Sequence, residues 1–385
     1  MKPLIIPGYS SQILANDIAE SLGWTVVDVD RKQHPSREIR SVIQSNIRKR
    51  EVVVIASAAG EPNRNVIETE LLLGAAKENG AREITLVLPY MFYGREDGKF
   101  GERASTSLLN TIARFKDLCD NVVVVDPHNI ELTQALFLMP PNKTTCDVVH
   151  LAYPFAQQLN SLFNQNIISR DRLLFTYPDA GASKRISNSF RQCLYSVASI
   201  ELDYERKDEW AQVAASRNNR TNEKRVSVTD DVKGRDIVIF EDMVDTGGTA
   251  MDIAKILKEK GARSVILFAS NGLFSSKDKD DLLKTVSDIN QSELDAVFIS
   301  DSFNYAGVND NLVKAIADSP VIHTIKTSPY LAQIIRASTL TPTKHMHPDE
   351  NSVSSILRGD HRSLSRKLVK STPLKANSPL LALAN

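Results

Sequence analysis

Ile237-Val-Ile-Phe-Glu-Asp-Met-Val-Asp-Thr-Gly-Gly-Thr-Ala250 decides how this chain is read. The apolar run within Asp236–Glu241 has the character of a buried parallel strand, and it ends on two adjacent carboxylates, Glu241 and Asp242. A short turn follows with Asp245, Thr246, Gly247, Gly248 and Thr249, and Ala250–Lys260 then reads as a helix. Glycines let a backbone approach a phosphate closely, and a helix N-terminus offers unpaired N–H groups and a favourable dipole. Thr246 and Thr249 add hydroxyl donors. Paired carboxylates at a strand's carboxyl end, where open α/β sheets bind ligands, suit the two hydroxyls of a ribose. A polar-capped turn would account for a Gly-Gly pair alone, but not for the whole string. Nothing in the chain reads GxxxxGK[ST], so this is not a P-loop.

Working outward, the same alternation of strand and helix fills the first 340 residues. Strands are expected at Glu51–Ala56, Ile84–Leu88, Asn121–Asp126, Leu173–Thr176, Ser264–Ala269 and Ala296–Ser300, with a helix over residues 64–79 ended by Gly80. That pattern predicts α/β architecture with mainly parallel sheets flanked by helices. There is also an internal echo. Lys77-Glu78-Asn79-Gly80-Ala81-Arg82 precedes one strand and Lys258-Glu259-Lys260-Gly261-Ala262-Arg263 precedes another. The strands before them match as well, Glu51–Ile55 against Asp236–Phe240. Helix–Gly–strand junctions resemble one another generally; the sharper reading is two related halves. The expected domains are 1–149, 150–340 and an extension, 341–385. In that extension Arg358, Arg362, Arg366 and Lys370 would form a basic stripe on a helix, read first as a solvated tail and second as a contact for an anionic partner. Ser216–Arg225 is polar, basic and aperiodic, and reads as a mobile loop.

Composition limits the function classes. Lys+Arg and Asp+Glu are both 47, so no net charge favours nucleic acid, and neither a nucleic-acid nor a membrane partner is expected. No apolar run approaches the ~18 residues of a membrane span, and the apolar start Met1–Gly8 is too short for a signal-peptide core. Three cysteines, Cys119, Cys146 and Cys193, form neither a CxxC nor a disulfide framework, which makes the cytoplasm the expected compartment.

The string at 237–250 resembles the phosphoribosyl-pyrophosphate motif of the phosphoribosyltransferase superfamily. The doubled domain narrows the resemblance to ribose-phosphate pyrophosphokinases. Asn63-Arg64-Asn65 with Glu68 looks like that family's Asn-x-Asn helix start. Pro89–Asp97, with Arg103 beyond it, is similar to its ATP-binding segment; Asp126-Pro127-His128 resembles Asp-Leu-His; and Tyr177-Pro178-Asp179-Ala-Gly181 resembles Ser-Pro-Asp-x-Gly. Coverage runs to about residue 357, since Ser352-Val353-Ser354 resembles the family's usual end. The resemblance implies two phosphoribosyltransferase-type domains and transfer of diphosphate from ATP to the C1 hydroxyl of ribose 5-phosphate. It implies ATP binding through Arg95, Glu96, Asp97, Arg103, Glu38 and His128, and Mg²⁺ at His128 and Asp179. Glu241, Asp242 and Asp245–Thr249 would take the ribose phosphate. A homo-oligomer built from dimers, up to a hexamer, is implied too, with the loop around Glu38 reaching a neighbour's ATP site.

This sequence departs from the pattern in places. The family's catalytic Lys followed by arginines has its nearest match in Tyr204-Glu205-Arg206-Lys207-Asp208, where the order is altered; Arg206 and Lys207 are the expected catalytic pair. Their competitors are Arg217, Arg220, Lys224 and Arg225. Of the family's Phe-x-Asn/Asp-Gly-Glu loop, His34-Pro35-Ser36-Arg37-Glu38 keeps only the Glu. Glu96 stands for a Gln, and Ser270-Asn271 for Thr-His. Three readings stay open: synthesis of phosphoribosyl pyrophosphate, the same transfer onto a larger acceptor such as ADP-ribose, and a non-catalytic homologue that regulates a synthetase.

Overall fold

The computed structural model describes residues 1–99, 102–140, 144–178, 213–217, 224–228, 231–276, 278, 281, 283–303, 309–340 and 371–383. They fall into two units. The first holds β1 (Leu4–Pro7), α1 (Gln12–Leu22), β2 (Thr25–Val26), β3 (Val29–Gln33), β4 (Ile39–Ile43), β5 (Glu51–Ile55), α2 (Pro62–Glu78), β6 (Glu83–Leu88), α3 (Ser107–Phe115), β7 (Asn121–Val125), α4 (Ile130–Leu138) and β8 (Thr145–Val149). The second holds α5 (Ala152–Asn164), β9 (Leu173–Thr176), β10 (Val213–Arg217), β11 (Lys224–Val228), β12 (Asp236–Val244), α6 (Gly248–Glu259), β13 (Ser264–Gly272), α7 (Lys284–Asn290), β14 (Ala296–Ser300), α8 (Asp310–Asp318) and β15 (Ile322–Ile325).

Both sheets are parallel at every pairing, in the orders β2-β1-β5-β6-β7-β8 and β15-β14-β13-β12-β9. Read from β1 and from β9, the order is the same: β1-β5-β6-β7-β8 corresponds to β9-β12-β13-β14-β15. Each unit also carries an antiparallel hairpin, β3–β4 or β10–β11, inserted between its first strand and the strand that pairs with it. The echo in the sequence is therefore a repeat of topology, and β5 and β12 stand in separate sheets.

The strands read as apolar runs because helices cover both faces. Val52–Ile55 and Val122–Val125 are at most 1% exposed, and each such side chain stabilises the fold by about 1.5–3 kcal/mol relative to exposure. In the second unit one aromatic ring per strand forms a row across the sheet. Phe175, Phe240, Phe268, Phe298 and His323 follow one another with centroids 5.6, 5.7, 4.8 and 5.2 Å apart.

Four expectations are corrected. The helix α9 (Ser328–Leu340), assigned from sequence to the second domain, belongs to the first unit. It packs along α1, Tyr330 Oη donates to the His150 carbonyl at 3.2 Å and Ser338 Oγ to Asp147 at 3.0 Å. Strand–helix alternation continues unbroken across this crossover, so the sequence pattern hides it. Ser216–Arg225, read as a loop, starts and ends in paired strand, Ser216 opposite Arg225 and Arg217 opposite Lys224. β12 runs three residues past the expected end, because the polar Ser270, Asn271 and Gly272 extend β13 beside it. The fourth correction is the tail. Residues 371–383 are not a solvated end: Leu380 is fully buried, the Gln158 amide pairs with both backbone groups of Thr372 at 3.0 and 2.8 Å, and Lys375 Nζ donates to the carbonyls of Ile316, Ser319 and Ile322. The basic stripe at Arg358–Lys370 lies outside the described residues.

Candidate functional site

The strand–turn–helix of the second unit is built as follows. β12 carries Glu241 half-buried and Asp242 only 7% exposed, both within the ladder rather than beyond it. Glu241 pairs with Ala269 of β13, and Asn271 Nδ2 donates to the Asp242 carbonyl at 3.1 Å. The strand end is clamped by Leu273 and Phe274, whose N–H groups both bond the Val244 carbonyl, at 2.8 and 3.0 Å. Gly272 permits this turn back: a Cβ there would stand 2.6 Å from the Phe274 ring and 2.8 Å from Ile299 Cδ1.

Asp245 and Thr246 form the bend, and Gly247 caps α6 in the left-handed conformation with φ +69°. A side chain at Gly247 would meet Ile289 no closer than 3.4 Å, so backbone conformation, not crowding, favours glycine here. α6 begins at Gly248, two residues earlier than expected, which places Gly248 and Thr249 in its first turn. No acidic residue occupies that turn. The free N–H groups and dipole of α6 are thus open to an anion, with hydroxyls of Thr246 and Thr249 alongside in sequence.

The sequence-predicted nucleotide segments lie at the carboxyl edge of the first sheet. Arg95, Glu96 and Asp97 follow β6, and the segment is tied by Glu96 N–H to the Tyr93 carbonyl at 2.9 Å and by Leu108 N–H to the Glu96 carbonyl at 3.1 Å. Arg103 is exposed just before α3. Asp126, His128 and Asn129 follow β7, with Asp126 at φ +36°. The structure brings this loop to the nucleotide segment: Asn129 Nδ2 donates to Asp97 Oδ2 at 2.8 Å, while Asn129 Oδ1 caps α4 by accepting from Leu132 N–H at 3.1 Å. Glu38 stands exposed near the tip of the β3–β4 hairpin, where Ser36 Oγ donates to it at 2.7 Å. Glu68, offered by the helix-start motif, is buried and fixes that hairpin. It accepts from Arg31 Nε at 2.6 Å and from Tyr9 N–H at 2.8 Å. Asn65 binds the β5–α2 loop, donating to the Ala59 and Ser57 carbonyls at 2.8 and 3.2 Å. Asp179, Arg206 and Lys207 lie outside the described residues. Sequence reasoning missed His150, whose Nδ1 lies 2.9 Å from Asp126 Oδ1; a lone histidine after an unremarked strand carries no signal.

Two family models match the chain. Residues 4–114 match the N-terminal domain of ribose phosphate pyrophosphokinase, and residues 206–339 match the phosphoribosyl synthetase-associated domain. A ribose-phosphate pyrophosphokinase from Aquifex aeolicus is 30% identical over 274 residues, which span 70% of this chain and 80% of the relative. The chain belongs to the ribose-phosphate pyrophosphokinase family. Another member, from Vibrio parahaemolyticus, is 28% identical over 86% of this chain and 94% of its own length. The phosphoribosylpyrophosphate synthetase of Mycobacterium smegmatis shares the fold, with a TM-score of 0.70 over 87% of this chain and 98% of that one at 22% identity. The first match ends inside α3, and the second takes in the β12–α6 corner and all but the last residue of α9.

Proposed function

We propose that the chain transfers the terminal diphosphate of ATP to the C1 hydroxyl of ribose 5-phosphate, giving phosphoribosyl pyrophosphate and AMP. The observation that carries this reading is the β12–α6 corner, where a left-handed Gly247 opens an acid-free helix start just beyond two carboxylates. Asp245–Thr249 would hold the 5-phosphate, and Glu241 and Asp242 the ribose hydroxyls. Arg95, Glu96, Asp97 and Arg103 would hold ATP, the guanidinium of Arg95 pairing with phosphate or stacking on the base. Glu38, exposed near its hairpin tip, would serve a second copy, in a homo-oligomer built from dimers.

The chemistry asks for position and charge rather than a strong base. A hemiacetal hydroxyl is more acidic than a simple alcohol, and phosphoryl transfer is promoted mainly by alignment and by stabilised charge. Arg206 and Lys207 would supply that charge on the transferring diphosphate. The donor types suit a hard cation, a carboxylate at Asp179 and an imidazole at His128 that would act directly or through water. Mg²⁺ keeps several waters and binds mainly through one or two side chains together with substrate phosphates. His128 and Asp179 would hold it, and when bound it would neutralise phosphate charge.

A second reading, the same transfer onto ADP-ribose, draws on an intact Asp245–Thr249 loop beside altered neighbours, Ser270-Asn271 and Glu96. Both are tested by incubating the protein with ATP, Mg²⁺ and either acceptor and separating the products. AMP with phosphoribosyl pyrophosphate supports the first, AMP with a diphosphorylated ADP-ribose the second, and no product with either acceptor points to a regulatory homologue.

A further inference from the structure

The loop that carries His128 is held at both ends by side chains from the loops that follow the neighbouring strands β8 and β6. β7 and β8 are paired with Val125 opposite Val149, so Asp126 and His150 emerge side by side at the carboxyl edge of the sheet. Asp126 N–H bonds the Val149 carbonyl at 2.9 Å, and the Asp126 carboxylate meets His150 Nδ1 at 2.9 Å. An ionised carboxylate only accepts, so His150 donates from Nδ1. Both side chains are shielded, 17% and 14% exposed. His150 is itself anchored, since Tyr330 Oη donates to its carbonyl at 3.2 Å.

The backbone shows why such a hold is needed. Asp126 is a non-glycine residue at φ +36°, and it precedes a proline. Left-handed backbone is uncommon outside glycine, and a following proline restricts the preceding residue toward extended conformations. That conformation persists only where surrounding contacts impose it. At the other end of the loop Asn129 does two jobs, capping α4 through Oδ1 and donating through Nδ2 to Asp97 of the nucleotide segment at 2.8 Å. His128 lies between the two anchors.

We infer that His150 and Asn129 are positioning residues: His150, through Asp126, and Asn129, through Asp97, fix the His128 loop against the nucleotide segment so that metal and ATP are bound in one geometry. This rests on the diphosphotransferase reading for His128, and it assigns roles to two residues that the motif itself does not contain.

The test uses the full chain with His150→Ala, His150→Asn and Asn129→Asp. Mn²⁺ is titrated in the presence of ATP and the free ion is read by electron paramagnetic resonance; kinetics with Mg²⁺, ATP and ribose 5-phosphate run in parallel. His150→Ala should weaken Mn²⁺ binding and lower kcat, each by about tenfold or more, the usual size for groups that orient a metal site. The KM for ribose 5-phosphate should stay within about twofold, because acceptor binding is not touched. His150→Asn, which keeps an N–H donor near the Nδ1 position, should recover most of the Mn²⁺ affinity. Asn129→Asp retains the helix cap but sets a carboxylate against Asp97, so melting should be unchanged while the ATP KM rises about tenfold. A purely structural role would instead lower Tm and scale kcat with the folded fraction, with no rescue by asparagine. His150→Ala with parental Mn²⁺ affinity and kcat overturns the inference; if that variant fails to fold, Asn129→Asp with a parental ATP KM does so. A parent that makes no product yet binds Mn²⁺ with ATP removes the diphosphotransferase reading alone, and the titrations still decide. A parent that binds no Mn²⁺ with ATP overturns both.

Discussion

Asp242 and Gly247 do unlike things within a few residues. Asp242 is nearly buried in β12, and its backbone is pinned by Asn271, so its side chain is presented from a rigid strand. Asp242→Asn exchanges a charge-assisted acceptor for an amide and should leave the fold intact. The acceptor KM should rise by the equivalent of about 1.5–3 kcal/mol, the size of a hydrogen bond to a charged group; unchanged acceptor kinetics would remove the residue from the site. Arg206 and Lys207 act, on the proposed mechanism, only as charge builds on the diphosphate. Alanine at either should therefore cost at least about tenfold in turnover, roughly 1.4 kcal/mol of barrier, with a smaller effect on the ATP KM. Normal turnover in both variants, together with loss of activity on changing Arg217 or Arg225, would shift the role downstream. The Asp245–Thr249 corner was legible because each residue type in it has a chemical reason at that spacing. His150 and Asn129 were not, since their roles arise from contacts between loops that adjoin only in the folded sheet, 24 residues apart in the chain for His150 and Asp126 and 32 for Asn129 and Asp97.

At the scale of elements, the buried strands were legible from runs of Val and Ile, because a strand covered on both faces has no choice but to be apolar. The hairpins were not. β3 and β4 are partly exposed, polar and charged, and Glu68 on α2 holds them through Arg31, a contact that no local pattern announces. β15 shows what a covered edge strand gains. His323 closes the aromatic row against Phe298, and Ser378 Oγ lies 3.3 Å from its Nε2. Burial, and then the nearby Lys375 charge, push its pKa down to about 4 from 6.5. The unfolded chain therefore takes up a proton that the folded protein refuses. Stability held above pH 6.5 is lost as pH falls from 6.5 toward 4, by up to about 1.4 kcal/mol per pH unit, and this contribution is flat below that window. Urea midpoints measured across pH 4–7 should show this slope, and His323→Phe, which keeps a ring on Phe298, should flatten it; an equal slope in both proteins would assign it elsewhere.

Across the whole molecule, two copies of one topology are completed by distant segments of chain. Removing residues 371–385 should strip the cover from Leu380's pocket, Gln158 and β15. A loss of even one such buried leucine, about 1.5–3 kcal/mol, should lower the Tm of the second unit by about 3–12 °C, and the bared edge strand should promote concentration-dependent association. A truncated protein with the parental Tm would show that the strap contributes nothing. The repeat was legible in the echo around Gly80 and Gly261, but the crossing of α9 into the first unit was not, because periodicity reports which face of a helix is apolar and not which partner it meets. That crossing bears on how the protein is made. On a ribosome, α1 emerges with Leu14, Ala15, Ile18 and Ala19 ready to be covered, yet α9, which packs along it, follows about 300 residues later. At about 5–20 residues per second the wait is on the order of tens of seconds. The second unit waits in the same way for Lys375 and Leu380. The first unit therefore cannot finish folding until most of the second has been synthesised, and through that interval the nascent chain must carry α1 uncovered by α9.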